Sequence, residues 1–346
     1  VRSLRALFVV SFLVTSCGGA GVPVPSREVS PSPAPSAAAE PSTSAKAAAP
    51  TSRPIATVLD RIDPAKLNDH MTTLASFGSR DARNPNHAKA VAYLKEQLGA
   101  IPGIVIQTQR AAYNGVPLEN IFALVDPLTT PTATGWVMIC AHYDSISIRS
   151  AGWNPTTTAA PGADDNGTGT AALLEYARVL AQERASLNRR VVLAFFDGEE
   201  LFFKGSAAYL GSLPDPNPYA AVINIDMVGF NPIADRLDLI FYTNASATLR
   251  DRVIAANDRY QIGVDPLIPQ LATSGATILD AAPFGLAGVA SVALAERYGD
   301  ADATYPGNVA FHTANDTPEK VTNKRLWLKA ARLTLATALE LARSLK

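Results

Sequence analysis

Cysteine is almost missing from this chain: Cys17 and Cys140 are the only two among 346 residues. That excludes a fold stapled by several disulfides. Cys140 lies inside an apolar run and reads as a small buried hydrophobe. A charge excess is missing too: 30 basic residues stand against 31 acidic ones, for a net charge of −1. This removes the electrostatic case for a nucleic-acid partner. No stretch reaches the roughly 18 consecutive apolar residues of a membrane-spanning helix. Histidine is scarce, with four in the whole chain. His70 and His87 fall in helices that read as surface elements and carry no role, whereas His142 and His312 fall at a strand end and in a loop.

What is present is core. The chain is 47% hydrophobic and 18% charged, the balance of a globular protein with a large interior. Its length allows one large α/β domain or two smaller ones. The first residues follow a different logic. Arg2 and Arg5 make a basic start, Leu7 to Val14 a short apolar core, and Thr15-Ser16-Cys17 a small-residue end. That order is an export signal, and Cys17 resembles the lipidated cysteine of the bacterial lipobox. A cleaved signal with a chance cysteine is the alternative. The expectation is an exported protein of the bacterial cell envelope, lipid-anchored or secreted, touching membrane only through an anchor on Cys17. One acyl chain anchors marginally, so several would be needed. Residues 18–54 are rich in Pro, Ala and Ser and cannot offset the entropy of ordering, so they read as a disordered tether. Residues 55–346 then form the folded domain, with no internal repeat.

Within that domain, apolar strands alternate with helical patterns. Trp136 to Ala141, Val191 to Phe196, Ala220 to Met227 and Gly288 to Leu294 are continuous apolar runs, as in strands buried on both faces. Ile104 to Gln109 and Glu119 to Val125 read as further strands. The Pro- and Thr-rich residues 127–134 read as a hairpin-like connection onward to Trp136. Helices are expected after Asp63-Pro64, from Asn84-Pro85 to Gly99, from Thr168 to Arg184 with Asp165 or Asn166 as N-cap, and from Lys324 to Leu345. The fold class is α/β: a mixed, largely parallel central sheet with helices on both faces.

The central run, Arg190 to Phe196, ends in Asp197-Gly198-Glu199-Glu200. Adjacent carboxylates repel unless a cation or a proton lies between them. Other strand and loop ends carry similar side chains: His142, Asp165, Asp226 and His312. Each has a plain alternative as a cap, a turn acid or a buried histidine. Together with Glu200 they make a nitrogen and oxygen donor set without thiolate, which suits Zn²⁺ and also Mn²⁺ or Co²⁺. Five donors exceed the three of one catalytic zinc, an excess resolved if one carboxylate bridges two metals. Glu199, not needed as a ligand, is then free to act as general base.

The motifs around these residues are HYDS (His142–Ser145), PGADDNGTG (Pro161–Gly169), FDGEE (Phe196–Glu200), NIDMVG (Asn224–Gly229) and HTANDTPEKV (His312–Val321), with ASFGSR ahead of them. In that order they resemble the M28 family of zinc metallopeptidases, over about Asp63 to Leu345. The resemblance implies a di-zinc exopeptidase that releases N-terminal residues from peptides, with two Zn²⁺ per chain. It implies Asp165 as the bridging ligand, His142 and Asp226 on one zinc, and Glu200 and His312 on the other. It makes Glu199 the base that activates a bridging water and Asp144 the carboxylate behind His142. Tyr305 is a candidate pocket residue. Relatives often carry an aspartate, commonly as Ser-Asp-His, between the last two ligands. Here Thr273 to Ala276 takes that place without an acid, which leaves amine recognition unassigned. Glutaminyl cyclases share the scaffold with a single zinc. They form one alternative, a carboxypeptidase or other amidohydrolase a second, and a non-catalytic surface lipoprotein a remoter one.

Overall fold

The computed structural model describes residues 52–214, 217–272, 279–297 and 306–343. One eight-stranded sheet organises them. Its strands are β1 (Val105–Tyr113), β2 (Val116–Val125), β3 (Trp136–His142), β4 (Val191–Phe196), β5 (Tyr219–Ile225), β6 (Leu237–Phe241), β7 (Leu267–Leu271) and β8 (Ser291–Ala295). The spatial order is β1-β2-β4-β3-β5-β8-β6-β7. β4, β3, β5 and β8 run parallel at the centre, β1 and β2 are antiparallel on one side, and β6 is antiparallel to β8 on the other. The four central strands are the four apolar runs. Their hydrogen bonding is satisfied on both edges and their side chains are covered on both faces, which is why no polar alternation marks them.

Side-chain alternation divides the interior in two. Val137, Ile139 and Ala141 of β3 face one apolar cluster, while Met138 and Cys140 face the other. The helices α1 (Ile55–Leu59), α2 (Pro64–Ser76), α3 (His87–Gly99), α4 (Gly167–Leu180), α6 (Ala247–Arg259) and α8 (Lys324–Arg343) cover the first cluster. α5 (Lys204–Ser212) and α7 (Ala282–Leu286) cover the second, where Phe122, Phe196, Tyr209 and Phe284 pack ring against ring. Helices thus lie on both faces. The long α8 is pinned to α4 by polar contacts inside the core: Trp327 Nε1 donates to Thr168 O at 3.1 Å and Tyr176 Oη to Ala331 O at 2.9 Å. No described helix is long and apolar enough to cross a membrane.

One expectation is corrected, one strand is added and one alternative is settled. Residues 127–134 are not a hairpin, because β2 and β3 are not neighbours: β4 lies between them. The true hairpin joins β1 to β2 through Asn114-Gly115, both at positive φ (50° and 80°), the pairing that two-residue turns favour. β7 is a strand that its short, Pro-containing sequence does not announce. Of the two proposed N-caps, Asn166 takes the role, its Oδ1 accepting Gly169 N at 2.8 Å.

Candidate metal centre

The carboxyl ends of the central strands converge, as parallel sheets require, on one edge. His142 closes β3, and Asp226 follows β5 directly. Glu199 and Glu200 follow β4 through Gly198, whose φ of 66° lets the chain turn over Leu118. Asp165 stands just before α4, and His312 lies in the loop ahead of α8. The apolar core beneath dictates the strand-end positions: His142 and Asp226 sit where buried apolar strands give out.

The structure brings all five proposed ligands together. His142 Nε2 lies 3.2 Å from Asp165 Oδ1 and 3.4 Å from Asp226 Oδ1. His312 Nε2 lies 3.2 Å from the other oxygen of Asp165 and 2.8 Å from Glu200 Oε2. Three overlapping triads result, His142/Asp165/Asp226, Asp165/Glu200/His312 and His142/Glu199/Glu200, and Asp165 joins the first two. Glu199 lines the same cavity, beside His142 and Glu200. His312 holds a left-handed backbone, φ 56°, with its carbonyl accepting Arg149 N at 2.9 Å.

The electrostatics follow from burial. Asp165, Asp226 and His142 are almost fully enclosed. Burial pushes Glu199 well above the ordinary carboxylate range, with Glu200 and Asp226 adding to the shift and His142 opposing it. Burial also lifts Glu200 to about 7, against the pull of His312. For His312, burial works against the charged form, yet Glu200 and Asp165 outweigh it and raise the imidazole to about 10. Asp165 is the exception among the acids: burial would raise it, but His142 and His312 hold it below the usual range.

The donor set fits a pair of metal ions. Tetrahedral ligands at 2.0–2.1 Å from zinc stand about 3.3 Å apart, and the imidazole-to-carboxylate spacings above cluster around that value. Glu200 Oε1 and Asp226 Oδ2 are buried without a hydrogen-bond partner. Buried carboxylate oxygens are costly in that state, and a cation between them removes the cost. Four carboxylates face only two imidazoles, and with all four ionised the cluster carries excess negative charge that cations would offset.

A supporting layer fixes the ligands. Asp144 lies behind His142, its Oδ1 3.4 Å from Nδ1 and its backbone O at 3.2 Å. Its two carboxylate oxygens also accept Glu199 N and Glu200 N, each at 3.2 Å, so one residue registers the β3 end against the β4 turn. Asp316, which the sequence offered only as an introduction to the last helix, accepts Asp164 N at 3.1 Å and Asp165 N at 3.0 Å. It thereby ties the His312 loop to Asp165. Arg80 of the ASFGSR segment is fully buried and donates to the carbonyls of Tyr143 (2.6 Å), Pro161 (2.5 Å) and Gly162 (2.9 Å). Burial lowers its guanidinium to about 10, with Asp316 and Asp165 opposing. His87, expected on a surface, instead stacks on Tyr143 and meets Asp197 Oδ1 at 3.0 Å. Asp197 also accepts Glu119 N at 2.8 Å, so this contact braces the turn before Glu199. An ionisable pair at a strand end and a helix start has no local signature.

Thr273 to Ala276, Tyr305 and Cys17 lie outside the described residues. Directly after the first of these, however, the sequence does carry an acid. Asp280 is fully buried in the field of His142 and Asp226, and burial lifts it to about 7 with His142 and Ser206 pulling back. Asp280 sits in an apolar stretch with no flanking polar signal, so the sequence alone does not single it out.

These features define a class: an α/β protein with a cluster of histidines and carboxylates able to hold metal at the carboxyl edge of its sheet. The chain belongs to peptidase family M28, whose profile matches residues 120–338. It is 27% identical over 312 residues to "Leucine aminopeptidase 1" of Coccidioides posadasii, covering 83% of this chain and 74% of that one. It is 34% identical over 149 residues to the uncharacterised protein YfbL of Escherichia coli, spanning 42% of this chain and 43% of YfbL. Among solved structures, BSAP, a zinc aminopeptidase from Bacillus subtilis, is similar at 27% identity and a TM-score of 0.52, over 68% of this chain and 52% of that one. Porphyromonas gingivalis glutaminyl cyclase shares the fold at 24% identity and a TM-score of 0.63, over 80% and 97% of the two chains.

Proposed function

We propose that this chain is a two-zinc aminopeptidase that removes N-terminal residues, preferentially large apolar ones, from peptides. The observation that carries the reading is that the two oxygens of Asp165 face different histidines, each with a further carboxylate beside it, while Glu199 makes no close contact with either imidazole and lines the same cavity. The aminopeptidase names among its relatives support the reaction. His142, Asp165 and Asp226 would hold one zinc, and Asp165, Glu200 and His312 the other. When bound, such ions supply Lewis acidity toward a carbonyl oxygen and toward water. The chain's own work is proton handling and positioning. Glu199, raised by burial, takes a proton from the attacking water and passes it to the leaving amine as the C–N bond breaks. Asp144 keeps His142 oriented so that Nε2 faces the cradle. The cavity, about 340 Å³, has an apolar floor of Ile146, Met227 and Leu279, which suits a leucine-sized side chain.

Metal analysis with a panel of aminoacyl anilides tests this. Two equivalents of zinc and cleavage of leucyl over glycyl anilide are expected. Conversion of glutaminyl substrates to pyroglutamyl ones with loss of ammonia, and without peptide hydrolysis, would replace the reading by a cyclase. Turnover that survives exhaustive chelation would sink both.

We also propose export with Cys17 as the lipidated mature N-terminus and residues 18–54 as a tether, supported by the basic, apolar and small-residue order of the leader. Mass spectrometry of the protein from its host should find a mature chain starting at a diacylated Cys17. A mature chain starting elsewhere, or an unmodified Cys17, would remove this proposal.

A further inference from the structure

The mouth of the cavity is built differently from its floor. Ile146, Met227 and Leu279 on the floor are buried, whereas Phe202 and Ile148 at the rim are 75% and 54% exposed. Phe202 is an unusual residue for its place. It sits in the tight turn just after Glu199-Glu200, where Phe203 N donates to Glu199 O at 2.8 Å and Lys204 N to Gly198 O at 2.9 Å. That turn holds Phe202 and Phe203 at φ of 66° and 58°, two successive left-handed positions. L side chains adopt this region seldom and bulky ones least, and glycine would occupy it without strain. The ring is also left largely in water. Neither folding nor burial accounts for an aromatic here, and both costs are offset if the ring meets something during function.

We infer that Phe202 is a specificity-determining residue that receives the side chain of the substrate residue just beyond the scissile bond and favours apolar ones there. The inference rests on the aminopeptidase reading above. An enzyme that releases the first residue must place that residue between Glu199 and the cavity floor. The remainder of the peptide then leaves through the mouth, and its first side chain passes the rim. Phe202, two residues past Glu200, is the rim group tied most directly to the catalytic turn. Ile148 extends the same apolar edge. Contact between a phenyl ring and an apolar side chain removes enough surface from water to change kcat/KM by roughly tenfold.

The test compares wild type with Phe202→Gly and Phe202→Asn on Leu-Phe and Leu-Gly dipeptides. Both replacements suit a left-handed backbone, so thermal melting should be no lower than wild type. Wild type should prefer Leu-Phe. In both variants the ratio of kcat/KM for Leu-Phe to that for Leu-Gly should fall about tenfold, mainly through KM for Leu-Phe. Phe202→Leu should restore part of the ratio, which a purely structural role would not do. Efficient cleavage of both dipeptides with an unchanged ratio overturns the inference and leaves the aminopeptidase reading standing. Failure of wild type to cleave either dipeptide overturns the aminopeptidase reading and the inference with it.

Discussion

Glu199→Gln should lower kcat on leucyl anilide by about 10²–10⁴-fold while the zinc content stays at the wild-type level. The substitution keeps the shape and removes the proton acceptor. Glu199 lines the cavity beside His142 and Glu200, but neither triad that shares Asp165 includes it. Ligand loss and base loss therefore separate in one experiment. Burial is what equips Glu199 for the task. Burial holds its carboxylate well above the ordinary range, with Glu200 and Asp226 adding to the shift. KM should move little, because the side chain contributes to the reacting centre and not to the apolar floor. Full activity in the variant would remove Glu199 from the mechanism, and metal loss would recast it as a ligand.

Asp165→Ala should have the second large effect, and its first readout is metal, not turnover. Its two oxygens face different imidazoles, His142 Nε2 and His312 Nε2, each at 3.2 Å. Both triads that share Asp165 lose a member at once, so both sites weaken together. Wild type should gain stability on zinc addition, about 4 kcal/mol at a thousandfold excess over the dissociation constant. In the variant that zinc-dependent rise in melting temperature should vanish, with fewer than one equivalent retained and activity below detection. Retention of two equivalents would refute a bridging role. Loss of one equivalent alone would assign Asp165 to a single ion.

The candidate ligands were legible for a physical reason. An apolar strand of a parallel sheet must end where its cover ends, so the first polar residue after each run is committed to the carboxyl edge. His142 and Asp226 are such residues, Glu199 and Glu200 follow within the turn that ends β4, and the scarcity of histidine makes His142 and His312 stand out. The bracing around them was not legible. Asp316 acts through backbone N–H groups 151 and 152 positions away, and Arg80 acts through carbonyls on two other loops. Contacts of that kind have no period and no spacing. Asp280 was passed over because a single acid in an apolar stretch looks like a turn residue until its burial is seen.

The sequence by itself determined the α/β class, the buried central strands, the donor residues and the adjacency of Glu199 and Glu200. These rest on local rules: hydrophobic period, turn chemistry and residue type. Only the tertiary structure decided that β4 lies between β2 and β3, that both oxygens of Asp165 are engaged by different histidines, and that Phe202 stands at the rim of the cavity. Strand order and side-chain convergence depend on contacts between residues far apart in the chain, whose energies no local pattern encodes. The awkward pair at the end of β4 shows the division plainly: its repulsion is visible in the sequence, but the cradle that relieves it is assembled from four other segments.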